Sequence, residues 1–215
     1  VFTDIDNDGD LDLFVCAFNA PNLLYINEGQ GRFRDSAQDH GLDFSGASVM
    51  MAFADYDLDG DMDGYLVTHR LNTGRMAKLP KSSKEAFQRG LIQVNRQRQA
   101  TIGPRYRELF EMMSKGPGRV ELFIAGQRDY LYRNDGSGRF TVVNDPAGIT
   151  GNHIGLAATW WDYNEDGWPD LYVGNDFQDP DRLYRNNGDG TFRDVIEPMV
   201  PHTTWYSMGA DFADL

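Results

Sequence analysis

The chain has 215 residues, a formal net charge of −13, 40% hydrophobic residues and 13% aromatic residues, so it is long and apolar enough to bury a core. So acidic a surface repels duplex nucleic acid, and we expect no nucleic-acid partner. No run of 18 apolar residues is present, so we expect no membrane span. Cys16 is the sole cysteine, which rules out an internal disulfide, and we expect it to be a small buried strand residue.

The first feature in chain order is an acidic segment that starts at Asp4 and recurs at Asp55 and Asp162. Each copy has acidic or amide residues at positions 1, 3, 5 and 9 and glycine at position 6, and a strand-like apolar run follows. Calcium prefers six to eight oxygen ligands in flexible geometry, and the glycine permits a sharp turn between them. The three segments therefore predict calcium sites rather than bare acidic turns. Magnesium demands stricter octahedral geometry and is the weaker candidate.

These segments are not EF-hand loops. An EF-hand needs a bidentate glutamate at position 12 and a helix after the loop, whereas position 12 is Val15, Leu66 or Val173 here and a strand is expected to follow. An ion bound in such a loop joins the two strands of a hairpin. We therefore expect a structural calcium ion that neutralises the carboxylates and contributes folding free energy.

A second motif, Leu-Tyr-(Ile/Arg)-Asn-x-Gly-x-Gly-x-Phe, begins at Leu24, Leu131 and Leu183. Its two glycines supply the positive φ angles that tight hairpins require. Asp4 and Asp55 are 51 residues apart, and Leu131 and Leu183 are 52 apart. A period near 50 with four short strands in each repeat predicts the blades of a β-propeller.

In the second repeat we predict strands over 49–54, 64–69, 130–133 and 139–143. The fold expected for residues 1–215 is therefore all-β, a partial β-propeller of about three four-stranded blades. The chain begins and stops in mid-pattern, so we expect it to be an incomplete propeller in which a fourth blade has just started.

A basic insertion over 71–118 separates the two motifs of the second repeat, within the second blade. Residues 69–119 contain 12 Lys and Arg against three Asp and Glu. Ser82 begins a capping-box signal, and the apolar spacing predicts an α-helical insertion with helices over 83–99 and 104–115. Two interpretations stay open: the insertion packs electrostatically on its own propeller, or it is a surface for an anionic partner.

At these motifs the chain resembles the FG-GAP / VCBS repeat family, whose repeats form the calcium-binding propeller of integrin α subunits and occur in bacterial surface and secreted proteins. The combination of the two motifs looks most like the bacterial proteins related to cartilage acidic protein (ASPIC/UnbV). The resemblance covers nearly the whole chain except residues 71–118. It implies a seven-bladed propeller located outside the cytoplasm, secreted or at the cell surface.

The resemblance also implies the ligands of three calcium ions, which are side chains at positions 1, 3, 5 and 9 and the backbone carbonyl at position 7. In the first loop they are Asp4, Asp6, Asp8 and Asp12 with the Asp10 carbonyl. In the second loop they are Asp55, Asp57, Asp59 and Asp63 with the Asp61 carbonyl. In the third loop they are Asp162, Asn164, Asp166 and Asp170 with the Trp168 carbonyl. Asn164 removes one charge and is expected to weaken its site, and a truncated fourth site is expected to begin at Asp214.

Two functions stay open. The first is a non-enzymatic adhesion or recognition module, stiffened by calcium, that binds a protein or glycan ligand; the second is a polysaccharide-active enzyme such as a lyase or glycosidase. The histidines stand in no nucleophile or zinc motif and are interpreted as surface or satisfied polar residues: His40, His69, His153 and His202. Five aromatic residues could stack on sugar rings: Tyr163, Trp160, Trp161, Trp168 and Trp205. Trp160 and Trp161 are expected to fill the core instead, and we favour the binding module over the enzyme.

Overall fold

The computed structural model describes residues 1–70, 80, 82–95, 99–106, 110–114, 120–176, 180–204 and 207–211. In chain order the strands are β1 (Phe2–Thr3), β2 (Asp12–Val15), β3 (Phe18–Pro21), β4 (Leu23–Asn27), β5 (Phe33–Asp35), β6 (Ser45–Ala54), β7 (Asp63–Thr68), β8 (Ile92–Val94), β9 (Ala100–Ile102), β10 (Phe110–Ser114), β11 (Val120–Ile124), β12 (Tyr130–Asn134), β13 (Phe140–Val142), β14 (Gly155–Trp161), β15 (Asp170–Asn175), β16 (Arg182–Asn186) and β17 (Phe192–Asp194). The helices are α1 (Ala37–His40), α2 (Ser83–Gln88), α3 (Asn144–Ala147) and α4 (Ile196–Met199), with a 3-10 turn over Pro104–Tyr106. Within the described ranges, no helix has the length and apolar character to cross a membrane.

Three antiparallel sheets repeat along the chain as blades. Their four repeating strands are ordered β1-β2-β4-β5, β6-β7-β12-β13 and β14-β15-β16-β17, and β3 adds a fifth strand to the second sheet by pairing with β6. In each blade the acidic loop joins the first strand to the second, and the Asn-x-Gly turn joins the third to the fourth, so both lie at the same end. The predicted all-β, partial propeller fold is confirmed, and the strands expected in the second repeat are present with small shifts of their ends.

Adjacent blades pack face to face through two apolar clusters. Phe14 and Leu24 of the first blade meet Leu66 and Phe140 of the second in one of them. In the other, the second and third blades meet through the following residues: Tyr56, Tyr65, Leu131, Leu171, Val173 and Phe192. These side chains alternate along their strands, which directs one face of each blade to its neighbour. The blade joints therefore carry most of the core.

The two tryptophans at the end of β14 have different surroundings. Trp160 stacks on Tyr56 with a ring separation of 6.0 Å and donates its indole N–H to the Ala52 carbonyl at 3.1 Å. The side chain of Trp161, the next residue in β14, faces the opposite side of the sheet and is 41% exposed. The prediction of a core position is thus confirmed for Trp160 and wrong for Trp161, because successive side chains of a strand face opposite sides.

The insertion leaves the second blade after β7 and returns before β12. The backbone N–H of Gln127 donates to the His69 carbonyl at 3.1 Å, which closes the base of the insertion. Its described part contains α2 and two hairpins, β8–β9 and β10–β11, around a small core that includes Leu91 and Phe110. The insertion therefore extends beyond the predicted end at residue 118, through β11.

The predicted α-helical character of the insertion is mostly wrong. Ser82 does cap α2, because its hydroxyl accepts the Glu85 N–H at 3.2 Å. The helix ends at Gln88, however, and Gly90 follows with a φ of 70°. In the described part of the second predicted helix, over 104–115, residues Pro104–Tyr106 form the 3-10 turn and Phe110–Ser114 form β10, which pairs with β11. Pairing in the β10–β11 hairpin outweighs a short run of helical spacing.

Candidate metal centres

The three acidic loops share one backbone conformation. Position 4 has a φ of 58° in each loop, and the glycine at position 6 has a φ between 89° and 98°. The aspartate at position 1 accepts the N–H groups of positions 5 and 6; in the second loop Asp55 accepts those of Asp59 at 3.0 Å and Gly60 at 3.0 Å. Asp4 and Asp162 make the same pair of bonds. The loop is thus folded around its first carboxylate.

The aspartate at position 9 is buried and connects three segments. One oxygen of Asp63 accepts the Tyr56 N–H at 3.3 Å and the other accepts the Asn134 N–H at 2.8 Å. Asp12 and Asp170 make equivalent bonds in their blades. Each of these carboxylates therefore holds the acidic loop against the Asn-x-Gly turn of the same blade.

Carboxylate oxygens converge in the first two loops. Oxygens of Asp4, Asp6 and Asp8 lie within 4.8 Å of one another, and so do oxygens of Asp55, Asp57 and Asp63. The structure thus brings together some of the side chains that the resemblance implies as calcium ligands. That they bind calcium stays a prediction. Asp214 and Trp205 lie outside the described residues.

The electrostatics of the second loop suit a divalent cation. Burial, together with the charge of Asp57, raises the pKa of the Asp63 carboxyl to about 7, although hydrogen bonds from two backbone N–H groups lower it. Burial, and then the charge of Asp59, also raise the pKa of Asp57. Among the residues that the structure describes, the buried Oδ1 atom of Asp57 has no hydrogen-bond partner. A hard cation would supply a partner for this oxygen and additional positive charge.

Arg133 provides positive charge to this loop in the structure. Its guanidinium lies 2.9 Å from an oxygen of Asp57 and 3.6 Å from an oxygen of Asp59. In the third loop Asn164 replaces the acid at position 3, donating its amide to Asp166 at 2.9 Å and accepting the backbone N–H of that residue. The three loops therefore share a backbone but differ in charge.

The asparagine of the second motif has a role that the sequence analysis missed. Asn186 donates its side-chain amide to the Tyr56 carbonyl of the preceding blade at 2.8 Å and to the Pro169 carbonyl of its own blade at 3.1 Å. Its side-chain oxygen accepts the Gly188 N–H. Asn134 makes the same connections to Ile5 and Met62. Recurrence of this asparagine in all three repeats was the available signal.

Comparison with protein families finds FG-GAP-like repeats at residues 4–66, 116–173 and 162–215. The chain belongs to the FG-GAP-like repeat family. The three acidic loops fall inside the matched ranges of the FG-GAP-like repeats, and most of the insertion falls outside them. Such repeats form propeller-like modules, often bind calcium and are typically extracellular.

No curated protein matches the chain. The finer likeness of this FG-GAP-like repeat protein to the ASPIC/UnbV group, and the expectation of seven blades, stay predictions. The structure adds two local features to the family membership. Carboxylate oxygens cluster in two of the acidic loops, and an asparagine forms hydrogen bonds across each contact between neighbouring blades.

Proposed function

We propose that the chain is a calcium-stabilised recognition module with three ion sites, one in each acidic loop. The observation that carries the proposal is the common loop conformation, in which the position-1 and position-9 aspartates are fixed by backbone N–H groups. Carboxylates held in this way are preorganised for a cation. Oxygen-only ligands and an irregular loop favour calcium over magnesium, which keeps its waters and requires octahedral geometry.

In this proposal the residues of the loop have separate tasks. Asp55 folds the loop, Asp63 ties it to the Asn-x-Gly turn, and Asp57 and Asp59 turn their carboxylates from Arg133 to the ion. Bound calcium neutralises the cluster and stabilises the folded chain because the unfolded chain has no such site.

Calcium titration of metal-free protein by calorimetry tests the ion sites. We expect binding of about three ions, and a rise in Tm that EDTA reverses. Asp57→Ala should remove one site, whereas Glu28→Gln, a carboxylate outside the acidic loops, should leave the titration unchanged. A protein whose titration and Tm do not respond to calcium is not a calcium-binding module.

We further infer that the module acts outside the cytoplasm and binds a protein or glycan rather than catalysing a reaction. The family's typical location and the millimolar calcium found outside cells support this inference. The loop carboxylates accept hydrogen bonds from their own backbone, which suits coordination more than proton transfer. A polysaccharide-cleavage assay separates the alternatives, because release of new reducing or unsaturated ends would establish an enzyme.

A further inference from the structure

The joint between the first and second blades (the first joint) and the joint between the second and third blades (the second joint) have the same backbone arrangement. Different side chains fill them at the end that carries the acidic loops. Strand registers align the segments after β5 and β13, so that Gly41 corresponds to Gly148. Both glycines lie under the carbonyl of a phenylalanine in the next blade, Phe140 or Phe192. The joints can therefore be compared residue by residue.

Two polar contacts close the first joint. His40 places Nδ1 2.5 Å from the Gly138 carbonyl oxygen of the second blade. Asn7, at position 4 of the first loop, donates its amide to an oxygen of Asp61, at position 7 of the second loop, at 2.7 Å. Side chains thus cross this joint directly.

Neither contact can form in the second joint because the residues differ. Ala147 stands where His40 stands in the first joint, and Leu58 stands where Asn7 does. Trp168 replaces Asp61 at position 7, and Arg133 occupies the position of Ile26. The second joint has lost its closing groups and gained an indole and a guanidinium.

A cleft of about 390 Å³ lies at the second joint, within the ~300–1,000 Å³ usual for small-molecule sites. It is lined by Asp57, Arg133, Pro146 and Ala147 of the second blade and by Trp168 and Asp189 of the third. Tyr56, which is buried, also lines the cleft. The cleft therefore combines two aromatic residues, one cation, and carboxylates as acceptors, with apolar residues beside them.

Trp168 is positioned as a platform. A Cβ atom on Gly188 would lie 2.8 Å from the indole Nε1, so only glycine allows the ring to rest on the Asn-x-Gly turn. Arg133 is about half exposed beside it, and Asp189 is held by the Thr191 N–H and hydroxyl. Donor and acceptor groups thus flank a supported aromatic ring.

We propose that this cleft binds one sugar residue of a glycan, which names the ligand class within the proposed recognition function and rests on it. A pyranose has an apolar C–H face that stacks on an indole and a rim of hydroxyl groups that both donate and accept. Trp168 supplies the stacking surface, Arg133 donates to ring substituents and Asp189 accepts from hydroxyls. An acidic peptide would gain little from the carboxylates that line the same cleft.

The test is calorimetric titration of the calcium-saturated protein with four probes: cellotetraose, chitotetraose, mannotetraose and tetragalacturonate. We expect at least one probe to bind with a Kd in the millimolar range or tighter. Trp168→Asp should weaken that binding at least tenfold, and Arg133→Ile should also weaken it. Both changes install residues of the first joint, and position 7 is expected to offer only its backbone carbonyl to calcium, so Trp168→Asp should still bind calcium.

Trp161→Ala is the matched control, since Trp161 is exposed and lies outside this cleft. It should bind the same probe within about twofold of the unmodified protein. Failure of all four probes, or equal binding by Trp168→Asp, overturns the cleft proposal even if calcium still binds. Loss of calcium binding in the unmodified protein would instead overturn the proposed function.

Discussion

The Tyr65 hydroxyl donates a hydrogen bond of 2.9 Å to Asp129, a buried carboxylate 64 residues further along the chain. Asp129 also accepts the Thr68 N–H at 2.6 Å, so it closes the end of the second blade opposite the acidic loop. The third blade repeats the pair as Tyr172 and Asp181 at 2.7 Å.

In the first blade, the equivalent positions hold a phenylalanine and an asparagine. The registers place Phe14 opposite Leu24, as Tyr65 is opposite Leu131. Asn22 stands two residues before Leu24 and accepts the Ala17 N–H at 2.9 Å. Hydroxyl and carboxylate are therefore both replaced in the first blade, as expected for two groups that bond to each other.

We predict that Tyr65 and Asp129 are energetically coupled. Tyr65→Phe should lower the free energy of unfolding by about 1.5–3 kcal/mol, because a buried charged acceptor loses its donor. In the Asp129→Asn background the same change should cost at least ~1 kcal/mol less, since the pair then matches Phe14 and Asn22. Urea unfolding of the four proteins measures the coupling. A parallel cycle with the exposed Asp135→Asn should be additive; additivity at Asp129 would refute the coupling.

We predict a pH dependence of stability from Asp129. Burial raises the pKa of this carboxyl to about 6 from 3.8, despite its hydrogen bonds. The folded state then holds a proton that the unfolded state releases between about pH 4 and 6, so this group's contribution to stability falls as pH rises through that window and is constant above it. Unfolding free energies of the unmodified protein minus those of Asp129→Asn, at fixed calcium, should decrease from pH 4 to 6.5. If this difference in unfolding free energy does not change with pH, the pKa of Asp129 is not raised in the folded state.

Asn186 should stabilise the chain more than Asn27. Both accept the N–H of the glycine two residues later and donate to a carbonyl of their own loop. Asn186 also donates to the Tyr56 carbonyl of the preceding blade, and the described contacts of Asn27 include no such bond to another blade. Asn186→Ala should therefore cost about 1–3 kcal/mol more than Asn27→Ala, because a buried carbonyl loses its donor. Equal losses in urea unfolding would show that the bond across the blade joint contributes nothing.

Asn164→Asp should have opposite effects with and without calcium. The change restores the acid found at position 3 of the other loops and places it beside Asp166. Without calcium, repulsion should lower Tm; with calcium, the added charge should tighten the third site and raise Tm relative to the unmodified protein. Glu165→Gln, at exposed position 4, is the control and should show neither effect. A Tm lowered in both conditions would argue against an ion in the third loop.

The repeated features were predictable because each of them occurs three times in the sequence. The acidic loops and the Asn-x-Gly turns recur with fixed spacing, so strand ends such as Ala54 and Asp63 follow from local chemistry. The convergence of Asp55 and Asp63 around one loop was expected for the same reason.

Pairings that depend on a second segment of the chain were not predictable, whether that segment is near or distant in the sequence. Phe110 has helical spacing to its neighbours, yet it pairs with Ile124 in β10–β11, a choice that depends on the later strand. The Tyr65–Asp129 bond spans the insertion, and the bond from Asn186 to Tyr56 joins two blades. A single sequence does not show that two such segments are close in space. For these two hydrogen bonds, the recurrence of the same pair of positions in another blade is the signal that identifies them.

The closed base of the insertion has a consequence for how this protein can change. His69 and Gln127 meet through one backbone hydrogen bond, so everything between them enters and leaves the blade at adjacent points. The pairing of β7 with β12 is complete without that segment. Evolution can therefore lengthen, exchange or remove it as a cassette, and a laboratory graft of another small domain at the same two residues should leave the blade and its acidic loop intact.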